Sequence, residues 1–204
     1  FYQPSLVIID PQVLSTLPGR ELKAGAAEVI KYGIIRSRSF FSYLETHMHE
    51  LFDLNDDALI HIIKTCCSIK ADITARDETE SGVRAILNFG HTFAHALETL
   101  TEYTTYKHGE AVAVGMAVAS RLSSHMGLCS AECAAAVTAL LSKANLPSYP
   151  DYLGFYPDQY LEIMAHDKKK AGQFIRMVLI EDIGRVCLKK FKPEELQAHL
   201  HHIL

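Results

Sequence analysis

His91 and His95 are the residues of this sequence from which chemistry is most readily read. They lie in the run Gly90-His91-Thr92-Phe93-Ala94-His95-Ala96-Leu97-Glu98. On a helix the i, i+4, i+7 spacing puts His91, His95 and Glu98 on one face, with Asn88 one turn earlier. Neutral imidazole is a good zinc ligand, and an HxxxH pair suits a single ion. Two helix histidines with ordinary hydrogen-bond partners would show the same spacing. A third imidazole follows in Lys107-His108-Gly109-Glu110, just ahead of a long helical pattern, where Gly109 permits a tight entry. Glu28 and Lys31 stand three apart on a segment otherwise made of apolar and small residues. Charges on such a face are costly unless paired or bound to a metal, so either an ion pair or a ligand role fits them. Lys70, Asp77, Glu78, Glu80, Arg84 and Asn88 form a polar stretch leading onto His91. It reads as a solvated loop or, through Arg84 and Asn88 four apart, as an anion-binding surface. Asp167-Lys168-Lys169-Lys170 is a charge run that a solvated face explains equally well. No GxGxxG loop follows a strand, no phosphate-binding Walker loop occurs, and no GxSxG elbow is present.

The elements that must position these residues follow from periodicity. Leu6 to Ile9 reads as a short buried strand, broken by Asp10-Pro11, and Leu17-Pro18-Gly19 as a turn. Helices are expected over about Glu21 to Ile35, Ser39 to His49, and from the Asn55-Asp56-Asp57 cap to about Arg76. Further helices are expected over Ala85 to Leu100, Gly109 to Leu128, Ser130 to Lys143, Asp158 to Ala165 and Pro193 to Leu204. Phe174 to Ile180 and Arg185 to Phe191 alternate as a β-hairpin closed by Glu181 to Gly184. Tyr103 to His108 and Asn145 to Pro157 read as loops. The sum is a mostly α fold with a short hairpin near the C-terminal end. The small residues Ala24-Gly25-Ala26-Ala27 allow a neighbouring backbone to approach closely.

Composition narrows the function classes. A formal net charge of −4 leaves no global basic field for nucleic acid or an anionic membrane. No apolar run approaches the ~20 residues needed to span a bilayer, and no charged-then-apolar leader opens the sequence. The five cysteines form no CxxC pair, which fits reduced cytosolic usage. Cys129 and Cys133, four apart, are better read as core than as zinc ligands. The opening Phe1 to Pro4, running straight into an apolar strand with no initiator Met, reads as a chain entered midway, with the strand's sheet upstream.

Four motifs in order make the pattern specific. Glu28-Val29-Ile30-Lys31-Tyr32-Gly33, Asp77-Glu78 with Gly82 and Arg84, Leu87-Asn88-Phe89-Gly90-His91-Thr92-Phe93, and His108-Gly109-Glu110-Ala111-Val112-Ala113 with Gly115-Met116 together resemble the motif series of the 3-dehydroquinate synthase family. The resemblance spans essentially the whole chain and is densest from Leu17 to Met116. It departs from the common pattern at Ala94, where glycine is usual, at Thr79, where arginine is common, and at Val83, where leucine is common. It implies a two-domain enzyme with an α/β NAD-binding half followed by a mostly helical half that carries the metal, to which this chain corresponds. Residues 1–16 would then be a strand and connector of the nucleotide-binding domain, and 17–204 the helical metal- and substrate-binding domain.

The resemblance also implies roles. Glu28, His91 and His108 would hold Zn²⁺ or Co²⁺, and one carboxylate with two imidazoles leaves positions open for substrate oxygens. Lys31, Lys70, Arg84, Asn88, His95 and one of Lys168 or Lys169 would contact substrate, with Glu80 joining them. His95, Lys31 and Asn88 would be the catalytic residues, His95 in proton relay or phosphate binding and not as a ligand. NAD⁺ would be bound mainly by the other domain. The implied reaction converts 3-deoxy-D-arabino-heptulosonate 7-phosphate to 3-dehydroquinate and phosphate in the shikimate pathway. A ring hydroxyl is oxidised, phosphate leaves by β-elimination, the hydride returns, and an internal aldol step closes the carbocycle. The substrate is thus a phosphorylated keto acid, a dianion suited to Lys and Arg. The expected setting is a cytoplasmic homodimer, with no nucleic acid or membrane partner, and the chain alone is expected to be inactive. The rival readings are another sugar-phosphate cyclase, of the 2-deoxy-scyllo-inosose or valiolone type, a related metal-dependent polyol dehydrogenase, and a non-catalytic metal-binding module.

Overall fold

Asn55 shows how the sequence sets its own helix boundaries. Its side chain accepts from the backbone N–H of Ala58 at 3.0 Å, satisfying one of the donors that every helix start leaves open. Ser37 and Ser130 do the same for Phe40 and Cys133. In the computed structural model, residues 5–78, 82–150, 156–166 and 174–204 are described. Among them the α-helices are α1 (Gly19–Arg36), α2 (Arg38–Phe52), α3 (Asp56–Arg76), α4 (His91–Leu100), α5 (His108–His125), α6 (Ala131–Lys143), α7 (Pro157–His166) and α8 (Pro193–Ile203). Short 3-10 helices cover Pro11–Thr16 and Val83–Asn88, and strands β1 (Ile175–Asp182) and β2 (Arg185–Phe191) pair antiparallel. The mostly helical fold with a late hairpin is therefore as the periodicity predicts.

Helix α5 is the axis of the molecule. It is buried nearly all round, from Gly109 and Ala111 through Ser120 to Leu122 and Ser123, as expected of a helix apolar on every face. Helices α1, α4, α6 and α8 and strand β1 pack on it. Ser123 Oγ accepts the backbone N–H of Ile180 at 2.9 Å, which fixes the hairpin to α5. The hairpin turn is pinned from the other side, where Gly184, at φ +88°, donates its N–H to the carbonyl of Ile34 on α1 at 2.8 Å.

Two of these packings are closer than side chains allow. A Cβ placed on Gly109 would lie 1.9 Å from the carbonyl oxygen of Ala24 on α1, and one on Gly115 would lie 2.0 Å from the carbonyl oxygen of Gly90. The small-residue patch at Ala24 is thus a true crossing point, and α5 supplies the glycine.

The structure departs from the sequence reading in three places. Leu6 to Ile9, expected to pair with a sheet upstream, is not paired as a strand among the described residues. The segment is irregular and its apolar side chains are exposed, Ile8 by 85%. A strand exists only through a ladder partner, and among the described residues none pairs with it. Ala85 to Leu100 is not one helix, because the chain turns at Phe89-Gly90, where Gly90 adopts φ +81°. Asn88 therefore precedes α4 on a separate 3-10 helix and does not share its face by helical periodicity. Finally, His108 opens α5 instead of closing the loop before it, and α5 ends at His125, three residues before Leu128.

Overpacking a tight backbone contact costs about 1–3 kcal/mol or more. Gly109→Ala and Gly115→Ala should each lower the free energy of urea unfolding by at least that much. Gly25→Ala, where an added Cβ meets nothing within 4 Å, should be neutral or stabilising by up to ~1 kcal/mol through helix propensity. Equal effects at all three positions would contradict the two crossings.

Candidate metal centre

Three ligand-type side chains reach one point from three helices. Glu28 comes from the middle of α1, one turn beyond Ala24. His91 is the first residue of α4, delivered by the Gly90 turn. His108 is the first residue of α5, beside Gly109. One ligand atom from each lies within 4.8 Å of the others, and among the described residues this is the sole group of three or more His, Cys, Asp or Glu so placed. The His91 and His108 rings are 5.3 Å apart between centroids. The α1–α5 contact is reinforced beside them. Arg20 donates through Nε and Nη2 to the two carboxylate oxygens of Glu110, both at 2.7 Å, and holds that carboxyl below the usual range. Glu110 in turn accepts the backbone N–H of Lys107 at 2.9 Å.

The electrostatics point the same way as the geometry. His91 Nδ1 lies 3.1 Å from the carbonyl oxygen of Phe89. A carbonyl only accepts, so Nδ1 carries the proton and Nε2 presents a lone pair. Burial, and then the Lys31 ammonium, hold this imidazole below the ordinary histidine range, so it is neutral at pH 7. Its Nε2 faces Glu28 Oε1 at 3.5 Å. With a neutral imidazole that is an acceptor facing an acceptor, not an ion pair. Glu28 Oε1 is itself buried and has no hydrogen-bond partner, although the other oxygen of the same carboxylate accepts from Lys31 Nζ at 2.5 Å. A buried acceptor left open costs about 1–3 kcal/mol. Converging lone pairs of this kind are what a cation relieves, and the N and O donor set is one zinc accepts.

Beside the centre is an open cleft of about 230 Å³, whose lining includes Glu28, Lys31, Lys70, Arg84, Asn88 and His91. Lys31 is buried, Lys70 projects from α3, and Arg84 and Asn88 come from the Val83–Asn88 helix. Asp77 sets that helix in place, since its Oδ2 accepts the backbone N–H groups of Gly82 at 2.7 Å and Arg84 at 2.9 Å. The Arg84 guanidinium also donates to the carbonyl of Glu78 at 2.7 Å. His95 is exposed on α4, its ring 5.8 Å from that of His91 and 6.3 Å from that of His108. It is outside the three-residue group and outside the cleft lining. Glu80, Lys168 and Lys169 lie outside the described residues.

Sequence reasoning missed two members of this surface. Tyr32 lines the cleft, and burial, then Glu28, push its hydroxyl up to about 12. Its sequence signal was its place beside Lys31 in the Glu28-to-Gly33 motif. Glu98 is bonded to His108, with Oε1 2.9 Å from Nδ1. Its place on the His91 face was visible, but its partner was not.

The family described as 3-dehydroquinate synthase C-terminal matches residues 25–170. A 3-dehydroquinate synthase of Neisseria meningitidis serogroup A is 51% identical over 196 residues, which is 96% of this chain and 54% of that protein. One from Teredinibacter turnerae is 51% identical over 189 residues, 92% of this chain and 52% of the relative. The chain thus spans about half the length of the curated relatives it matches. Among solved structures, a 2-epi-5-epi-valiolone synthase of Streptomyces hygroscopicus with NAD⁺ and Zn²⁺ bound is similar at TM-score 0.84 and 26% identity, over 96% of this chain and 54% of that one. A 2-deoxy-scyllo-inosose synthase complexed with carbaglucose-6-phosphate, NAD⁺ and Co²⁺ is similar at TM-score 0.73 and 25% identity, over 96% and 55%. The matched family region contains all three converging ligands and the basic cleft beside them, and this chain belongs to the 3-dehydroquinate synthase family.

Proposed function

We propose that this chain is the metal- and substrate-binding half of a 3-dehydroquinate synthase, which converts 3-deoxy-D-arabino-heptulosonate 7-phosphate to 3-dehydroquinate and phosphate. The observation that carries the reading is the orphaned Glu28 Oε1 facing the neutral His91 Nε2 at the edge of a cationic cleft. In it, Glu28, His91 and His108 hold Zn²⁺ or Co²⁺. When bound, that ion supplies Lewis-acid polarisation of a substrate oxygen.

The chain's own residues do the rest of the work assigned to this half. Lys70 and Arg84 recognise the carboxylate of the substrate, and the planar Arg84 guanidinium suits bidentate recognition. Lys31 is held against Glu28 and presents a cation at the cleft wall. Asn88 offers both donor and acceptor to hydroxyl groups. His95, exposed beside the ligand pair, accepts or returns a proton at an imidazole nitrogen. Glu80 and Lys168 or Lys169 complete the substrate contacts. The remainder of the relatives' length corresponds to the NAD⁺-binding half, to which we assign residues 1–16, and the whole enzyme is a cytoplasmic homodimer. Among the described residues no helix is long and apolar enough to cross a membrane. Identity near 50% to named synthases favours this activity over the cyclases of the structural relatives, which stand at about half that.

Three outcomes test the reading. Purified protein dialysed against Zn²⁺ should retain about one ion per chain, and Glu28→Ala or His91→Ala should reduce this to near zero by elemental analysis. Retention at wild-type levels in both variants removes the ligand assignment. A hydrogen bond to a charged group contributes about 1.5–3 kcal/mol. Lys70→Ala and Arg84→Ala should therefore each weaken binding of the keto acid phosphate by about 10- to 100-fold, read by calorimetry on the full-length enzyme, and affinity indifferent to both charges would favour a cyclase whose sugar phosphate substrate has no carboxylate. The 204-residue chain alone should release no phosphate from the substrate, and turnover by it would refute the assignment of the nucleotide site to another half.

A further inference from the structure

His91 and His108 are held by different means. His91 Nδ1 is bonded to the backbone carbonyl of Phe89 two residues away, so the turn that delivers the residue also orients its ring. His108 has no such local acceptor. It is the first residue of α5, its side chain is 52% exposed, and its Nδ1 reaches across to Glu98 Oε1 at 2.9 Å. Glu98 itself is only 6% exposed, on the face of α4 that packs toward α5. A carboxylate sunk in an apolar helix pair is costly without a compensating bond, and His108 Nδ1 is the partner its side chain has.

Resting on the metal reading above, we propose that Glu98 is a positioning residue for the metal ligand His108. With Glu98 Oε1 as the acceptor, the bond keeps the proton on Nδ1 and leaves the Nε2 lone pair for the ion. It also fixes the ring plane of a side chain that half its surface would otherwise leave to rotate. The strongest acceptor available is thereby spent on the ligand with the least support from its own backbone. Such outer contacts hold imidazole ligands in a productive tautomer and raise their basicity, and their removal typically weakens metal affinity by about 10- to 100-fold.

The test is Zn²⁺ affinity of the purified full-length protein by competition with a chromophoric chelator, together with the visible spectrum of the Co²⁺ form. Glu98→Ala should weaken Zn²⁺ binding by about 10- to 100-fold and alter the Co²⁺ bands. Glu98→Gln, whose amide oxygen still accepts the Nδ1 proton, should recover most of the affinity and the wild-type spectrum. If Glu98→Ala does not fold, Glu98→Gln is compared with Glu98→Asp, whose shorter side chain falls short of Nδ1 and should bind more weakly. Wild-type affinity and spectrum in the alanine or aspartate variant overturn the proposal, as does a loss matched by an equal loss of metal-free stability with the spectrum unchanged. If Glu28→Ala abolishes binding while every Glu98 variant binds normally, only the positioning role fails. If the wild-type protein binds no metal, the metal reading fails and this proposal with it.

Discussion

The architecture depends on backbone touching backbone along α5. Where Gly109 meets the carbonyl of Ala24, and where Gly115 meets that of Gly90, there is no room for a single Cβ. These two contacts fix α1 and α4 against a common axis, and each lies next to a ligand: Ala24 one turn before Glu28, Gly90 immediately before His91, Gly109 immediately after His108. A side chain at either crossing would push the helices apart by an ångström or more, and the separation would appear directly as distance between ligand atoms. The geometry of the candidate metal centre is thus set by main-chain packing, the least compliant part of a protein. The Arg20–Glu110 pair and the Ser123–Ile180 bond add to it from either end of α5.

Helices held this tightly leave the centre in an unfavourable electrostatic condition. Glu28 Oε1 is buried and unbonded, and the imidazole it faces is neutral because burial and the Lys31 ammonium disfavour its protonation. Neither group can relieve the other. In a structural ion pair the proton would reside on His91 and close the gap, and Glu28 would be satisfied at both oxygens. Here Lys31 takes one oxygen and leaves the other facing His91 Nε2 at 3.5 Å, within the group that His108 completes. This distinguishes the site from the plain ion pair that Glu28 and Lys31 could form by sequence alone, since the pair exists and still leaves an acceptor open.

Much of this was legible in the sequence, for identifiable reasons. Helix extents followed from apolar period and from caps such as Asn55, because those signals are local. The basic residues of the cleft were all singled out from their types and spacing. The break at Gly90 was not seen, because the pattern on either side is helical and only contact with Val112 and Met116 of α5 demands the turn. Leu6 to Ile9 is irregular and exposed, and an apolar run states a tendency to be covered without naming the segment that covers it. Glu98 was placed on the correct helix face, yet its bond to His108 spans a loop whose path no periodicity encodes. What the sequence hides is consistently the pairing of distant segments.

The two functional surfaces are built with different stiffness, and this bears on how substrate choice is made. The candidate metal centre stands on α1, α4 and α5, locked by crossings that leave no room for a Cβ. The basic wall of the cleft stands on Lys70 of α3 and on Arg84 of a six-residue 3-10 helix, tied down by the Asp77 carboxylate and a few hydrogen bonds. A structural relative at 26% identity keeps the fold at TM-score 0.84, as expected if the locked helices tolerate little displacement while the rest of the sequence drifts. Lys70 and Arg84 stand apart from the two crossings, so changes there alter a side chain of α3 or one short helix and leave the backbone contacts of α5 in place. On the function proposed above, discrimination between a substrate with a carboxylate and one without falls to Lys70 and Arg84, because a centre of one carboxylate and two imidazoles would meet an oxygen without reading the charge at the other end of the molecule.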